Sequence, residues 1–238
     1  HSPLNAECAL TISVIAALLT AGPLDRTLHD ASRTAWVAIP VVFFAALIGY
    51  IPVLTMPLIT DDYIHMRQIS TGEAPKPLDC LTHSCGGPQF FRPLGFATYW
   101  AEWELWNRAA MPRHAFDLML HGLASVLFLL LARKLGARPP FDWLAGLLFA
   151  WNGIRPEAVA WTAARFDMLV MVFSFIAAVA VLRGGRLGLI TSLLATTAAC
   201  LSKESAYVLP VMLALLLGRG ALTRAGRLLI GSNFAVAA

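Results

Sequence analysis

The chain has 238 residues, 58% hydrophobic and 13% charged, with a formal net charge of +4. A soluble domain carries about a quarter charged residues, so this composition points to lipid rather than water as the solvent. Several spans of roughly 20 residues fit in this length, and the lack of any block of basic residues argues against a nucleic-acid partner.

Residues 9–24 are apolar, but no charged segment precedes them. They predict a short or interfacial helix, or a thin extra span, rather than a secretion signal. Residues 36–56, WVAIPVVFFAALIGYIPVLTM, predict the first clear span. As one helix they would run about 31 Å, which matches a hydrocarbon core of about 30 Å. A polar stretch, 57–113, follows and opens on TDDYIHM. Here Asp61 and Asp62 read in two ways. Adjacent carboxylates at a membrane surface can act as general base and metal ligand. Equally, Thr60 or Asp61 can cap a helix whose first turn is acidic. Further along, CLTHSC makes Cys80 and Cys85 a candidate disulfide if that side is oxidising, with zinc bound alongside His83 as the weaker option. Cys8 and Cys200 sit in apolar runs and read as filler. In FFRPLGFATYWAEWELWN, Phe96, Tyr99, Trp100, Trp103 and Trp106 share one helical face. They predict an amphipathic helix lying in the interface with its aromatic residues among the headgroups. Arg92, just before it, is a candidate phosphate contact.

Residues 115–132 predict a second span. At its start, HAFDLMLHG puts His114, Asp117 and His121 on one face, either as ligands for a divalent cation or as polar lining of a cavity. Beyond it, apolar runs at 143–154, 168–182, 187–201 and 206–217 are separated by RPEAVAWTAARFD, RGGR and SKES. If 187–217 were one helix it would run about 46 Å and place Lys203 and Glu204 near mid-bilayer, at a cost of several kcal/mol. A turn at 202–204 instead brings Arg183, Arg186, Arg219, Arg224 and Arg227 to one side, and a like turn at RPEAVAWTAARFD brings Arg133, Lys134 and Arg138 there too, all in loops without Asp or Glu. That is the positive-inside pattern. The runs flanking the two inner turns span only about 18 to 25 Å, so their polar apices should sit low and need protein or water around them. A polar cavity open to the non-cytoplasmic side is expected there. Glu157, Arg165, Asp167, Lys203 and Glu204 would either pair internally (Arg165 with Glu204, Asp167 with Lys203) or form an anion site for a lipid phosphate.

The predicted fold class is therefore all-α: a polytopic integral membrane bundle of about six or seven spans. It divides into an N-terminal segment and linker (1–35), a transmembrane domain (36–218) with a long non-cytoplasmic loop (57–113) bearing the interfacial helix, and a basic cytoplasmic tail (219–238).

The order of these pieces is similar to that of a known family. An acidic pair after the first span is followed by FRPL, HAFDLMLH, RPEAVAWTAARFDML and LSKESAYVLP. The series resembles the membrane glycosyltransferases of the GT-C superfamily, in particular the transmembrane and TPR-containing O-mannosyltransferases and bacterial protein-mannosyltransferase-like proteins. The likeness runs from Asp61 to Pro210 and corresponds to the N-terminal half of such a protein. It implies transfer of a sugar from a polyprenyl-phosphate donor, the lipid-linked partner, to an acceptor hydroxyl on the non-cytoplasmic face. Asp61, or else Asp62, would be the base. Arg165, Lys203 and Arg92 would hold the donor phosphate, with Glu157, Asp167 and Glu204 orienting them. In one departure, Asn152 and Gly153 stand where the family usually has His-Pro. The expected setting is an integral membrane, a bacterial inner membrane rather than the endoplasmic reticulum, with lipids around it. A non-catalytic subunit of a larger membrane complex is the alternative.

Overall fold

A computed structural model describes residues 31–85, 90–152 and 156–217, with side chains from Trp36. The apolar segment at 9–24, Cys8, Gly153 and the basic tail at 219–238 lie outside the described residues. Within them every regular element is helical, and the only β feature is an isolated bridge between Cys85 and Phe91. The α-helices are α1 (Ala31–Gly49), α2 (Asp61–Ser70), α3 (Pro93–Trp106), α4 (Ala110–Lys134), α5 (Phe141–Ala150), the four-residue α6 (Glu157–Ala160), α7 (Arg165–Arg183), α8 (Gly185–Cys200) and α9 (Leu209–Leu217).

Two stretches are long and apolar enough to cross a bilayer, Ala110–Lys134 with 25 residues and Thr162–Arg183 with 22. The other apolar stretches, the Trp36–Gly49 part of α1, Phe141–Ala150, Gly185–Cys200 and Glu204–Leu217, are 10–17 residues long. Among the described residues, then, two helices are of full length, against the six or seven spans expected for the chain. The first expected span, 36–56, is not one α-helix. The α-helix stops at Gly49, and a 3-10 turn, Ile51–Thr55, carries the chain on with Pro52 in its first positions. Proline has no N–H to continue the α-helical ladder.

One long helix through Lys203 does not form either. α8 ends at Cys200, Lys203 is extended (φ −165°, ψ 151°), and a 3-10 turn, Glu204–Val208, leads into α9. At the other end of α8, Gly184 and Gly185 both have positive φ, 72° and 71°, which a residue with a Cβ rarely adopts. The tight turn folds α8 back on α7. A Cβ at Gly188 would lie 2.5 Å from the carbonyl oxygen of Ala180, so the two backbones meet at a position only glycine fills. Leu131, Ala177, Val181, Ala199, Leu209 and Leu213 bury one core where α4, α7, α8 and α9 meet. Val42 and Ala46 of α1 are fully buried, and Val42 packs with Leu129 of α4.

The distribution of side chains suits a lipid surround. Phe44 and Ile48 on α1, Leu144 and Leu148 on α5, and Ile190 and Leu194 on α8 are exposed as successive pairs along their helices. Ser125, Ser192 and Thr196 are fully buried instead. The hydroxyls of Ser125 and Thr196 donate to carbonyls of their own helices, those of His121 and Ser192. In hydrocarbon, polar groups must be satisfied inside the protein.

The fold yields a direct topology test. Ser205 and Arg186 are exposed at opposite ends of α8. In a background without other free cysteines, Ser205→Cys should label with an impermeant thiol reagent from one side of the membrane and Arg186→Cys from the other. Labelling of both from the same side would overturn this arrangement. Ser202 is a poor probe, because it is fully buried and donates to the Ala198 carbonyl.

Candidate functional site

The site end of the bundle gathers around one ring. Phe166, second residue of α7, packs against Phe96 and Tyr99 of α3, with ring centroids 5.8 and 5.5 Å away, and against His65 of α2 at 5.8 Å. Phe96 and Tyr99 are each only 1% exposed. Two of the five aromatic residues assigned to the membrane interface, Phe96 and Tyr99, thus sit in a protein core instead. Burying a large apolar side chain is worth about 1.5–3 kcal/mol, and Phe166 offers that burial where the headgroups do not. Trp100 is held too, its indole N–H donating to the Pro75 carbonyl at 3.0 Å. Cys80 and Cys85, both fully buried in this same layer, are joined as a disulfide with Cα atoms 5.4 Å apart. His83 stays exposed beside Thr82 and the Asp79 carbonyl.

The acidic pair divides by environment. Asp62 is 1% exposed, and its carboxylate accepts backbone N–H groups from Ile59 (2.9 Å) and Ala163 (2.7 Å). It thereby ties the start of α2 to the 3-10 turn Thr162–Ala164 that precedes α7. Burial pushes its carboxyl above the usual aspartate range, and the two N–H donors offset part of that rise. Asp61 is half-buried and has no hydrogen-bond partner among the described residues. The helix cap read for Thr60 takes another form. Thr60 makes no side-chain cap, and its backbone is strained at φ 38°, ψ −103°. Non-glycine residues held at positive φ cluster at functional sites, and this one immediately precedes Asp61. His65 lies one turn after Asp61, and burial lowers its pKa.

Three cations were candidate phosphate contacts, and the structure treats them differently. Arg92 grips Glu204 with two nitrogens (Nε to Oε1 3.0 Å, Nη2 to Oε2 2.8 Å) and stacks over Phe90 and Phe166. Lys203 holds both carboxylate oxygens of Asp167 at 2.8 and 2.7 Å, and this pair is partly exposed. Arg165 is fully enclosed. It donates to Asp117 at 2.6 and 3.1 Å, and its Nη1 lies 2.6 Å from Glu102 Oε2. Arg113 completes this buried network, with Nη1 2.8 Å from the same Glu102 oxygen. Arg165 therefore pairs with Asp117 and Glu102, not with Glu204, and shows no free surface to a lipid phosphate. Two acids and two guanidiniums balance in charge, which a buried cluster requires.

The remaining candidates do not converge. His114 donates from Nε2 to the Met56 carbonyl at 3.1 Å, and His121 to the Ala150 carbonyl at 3.0 Å. Each holds the end of a different segment, and Asp117 between them is committed to Arg165. Among the described residues no three His, Cys, Asp or Glu lie together as a metal site. Glu157 is exposed at the start of α6 with no partner among the described residues. Asn152, at the departure from the family pattern, accepts the Tyr50 hydroxyl on its carbonyl at 3.3 Å. Sequence reading missed His65, Glu102, Arg113 and Phe166. The signal for His65 was its spacing of four residues from Asp61, one helical turn.

Similarity to known proteins is limited and points one way. The chain is 28% identical to a protein O-mannosyl-transferase of Caenorhabditis elegans over 92 residues, which cover 37% of this chain and 13% of that protein. It thus spans a small part of that relative's length. No family model matches the chain, and no solved structure matches it. The relation is mannosyltransferase-like, distant and partial.

Proposed function

We propose that this chain forms a membrane-embedded, glycosyltransferase-like bundle whose non-cytoplasmic end transfers a sugar from a polyprenyl-phosphate donor to an acceptor hydroxyl. The observation that carries the reading is Asp61: a half-buried carboxylate without a hydrogen-bond partner among the described residues, on the helix whose His65 packs on Phe166, the ring that Arg92 also covers. Arg92 and Lys203 are partly exposed cations of this same end. Asp61 takes the proton of the acceptor hydroxyl. The oxygen bonds to the anomeric carbon as the bond from that carbon to the phosphate oxygen breaks. The polyprenyl phosphate leaves with the electron pair, and cations placed in advance stabilise its growing charge. Arg92 and Lys203 serve this role by turning from Glu204 and Asp167 toward the phosphate, since an arginine binds phosphate with two donors. Asp62 and Arg165 act behind them as supports.

A second reading has its own observation. Arg92 and Lys203 are each already neutralised by a carboxylate, as expected of a structural subunit that keeps the fold for packing. One assay separates the two. Membranes containing the full chain, given polyprenyl-phosphate mannose and a hydroxyl-bearing peptide, should transfer the sugar. No transfer, with stable co-purification of other membrane proteins, would favour the subunit.

A further inference from the structure

A groove of about 680 Å³ lies at the basic end of the bundle, far from Asp61, between α4, α7 and the start of α8. Its walls include Leu130, Val179 and Leu187, and Arg133, Lys134 and Arg183 line it where these helices end. Among the described residues, no carboxylate lines it. Asp142, fully buried behind, binds and orients Arg133. Lys134 and Arg183 stand exposed.

We infer that this groove is a binding site for an anionic phospholipid of the cytoplasmic leaflet. The two helices of membrane-crossing length frame it, so its open side faces the bilayer and its apolar walls meet acyl chains. The cations lie where the helices leave the hydrocarbon, the depth of a headgroup phosphate. A zwitterionic headgroup brings a compensating positive charge to that ring, and an anionic one does not. Charge complementarity therefore favours the anionic lipid, and each basic residue near the surface strengthens the preference. Gly188 shapes the floor by letting α8 close on α7. The site requires that the chain be membrane-embedded, as proposed above, but not that it transfers sugar.

The test uses the full chain in detergent, offered equal phosphatidylglycerol and phosphatidylcholine, with bound lipid counted by native mass spectrometry. Phosphatidylglycerol should be retained in preference by about fivefold or more. The double variant Lys134→Gln/Arg183→Gln should remove the preference. Thr191→Trp, which fills the groove, should lower retention of both lipids, while Arg67→Gln on α2 should change neither. Equal retention of the two lipids, or a preference that survives the double variant, overturns the site. So does a dimer abolished by Thr191→Trp, because a second copy would then fill the groove. A chain that does not partition into membranes sinks the membrane reading itself, whereas an inserted chain with no lipid preference sinks this site alone.

Discussion

Asp61→Asn should lower sugar transfer by about 10²–10⁴-fold, the usual contribution of a positioned general base, while leaving the amount of folded protein unchanged. The amide cannot accept the acceptor's proton, and no hydrogen bond among the described residues depends on the Asp61 side chain. Asp62→Asn should do the reverse. Its two carboxylate oxygens each accept a buried or half-buried N–H, from Ile59 and Ala163. An asparagine offers one oxygen and turns an NH₂ toward the other donor. Leaving that N–H unpaired costs about 1–3 kcal/mol, so folded yield and thermal midpoint should fall. Measuring transfer per folded molecule, alongside the thermal midpoint, distinguishes the two residues. Unchanged transfer in Asp61→Asn would remove it as the base. A large loss of transfer in Asp62→Asn at unchanged midpoint would reverse the assignment.

Arg165→Met is expected to destabilise the protein by about 3–5 kcal/mol, the cost of breaking a buried ion pair by removing one partner. The change leaves Asp117 without a cation and strips one of two guanidiniums from Glu102. Asp117→Asn should destabilise as well, although Asp117 has no part in holding phosphate. The pair Arg165→Met/Asp117→Leu should recover part of the loss, because it removes both charges, and a double-mutant cycle with Arg165→Met and Asp117→Leu as the single variants, read on the thermal midpoint, gives the coupling. If Arg165 instead touched the donor phosphate, Arg165→Met would lower transfer with the midpoint intact, and Asp117→Asn would do little. That pattern would return Arg165 to the site surface.

Several features were legible in residue order because they rest on local or one-dimensional physics. The break at Ser202–Lys203 follows from the cost of charge at mid-bilayer. The all-helical class follows from apolar runs of helical length, and the α7–α8 turn from adjacent glycines that tolerate positive φ. The pairing of Asp167 with Lys203 was one of the arrangements foreseen. What residue order did not show is which aromatic and charged groups meet across separate segments. The face of Phe96, Tyr99, Trp100, Trp103 and Trp106 has the same helical spacing whether it meets headgroups or another ring. Only the position of Phe166 buries the first two. Likewise, Arg165 could have paired with Glu204 by sequence proximity to the site, but Asp117 and Glu102 reach it first.

TDDYIHM shows the division between the two kinds of information most directly. Sequence alone determined that two carboxylates open a helix just after an apolar segment, because charge and hydrophobic length are properties of the chain. It could not rank them, since Asp61 and Asp62 are the same residue type one position apart. Tertiary structure decided that rank. Adjacent positions on a helix point about 100° apart, so one side chain turns inward to the N–H groups of Ile59 and Ala163 and is held there. The other is left half-buried beside His65, without a hydrogen bond among the described residues.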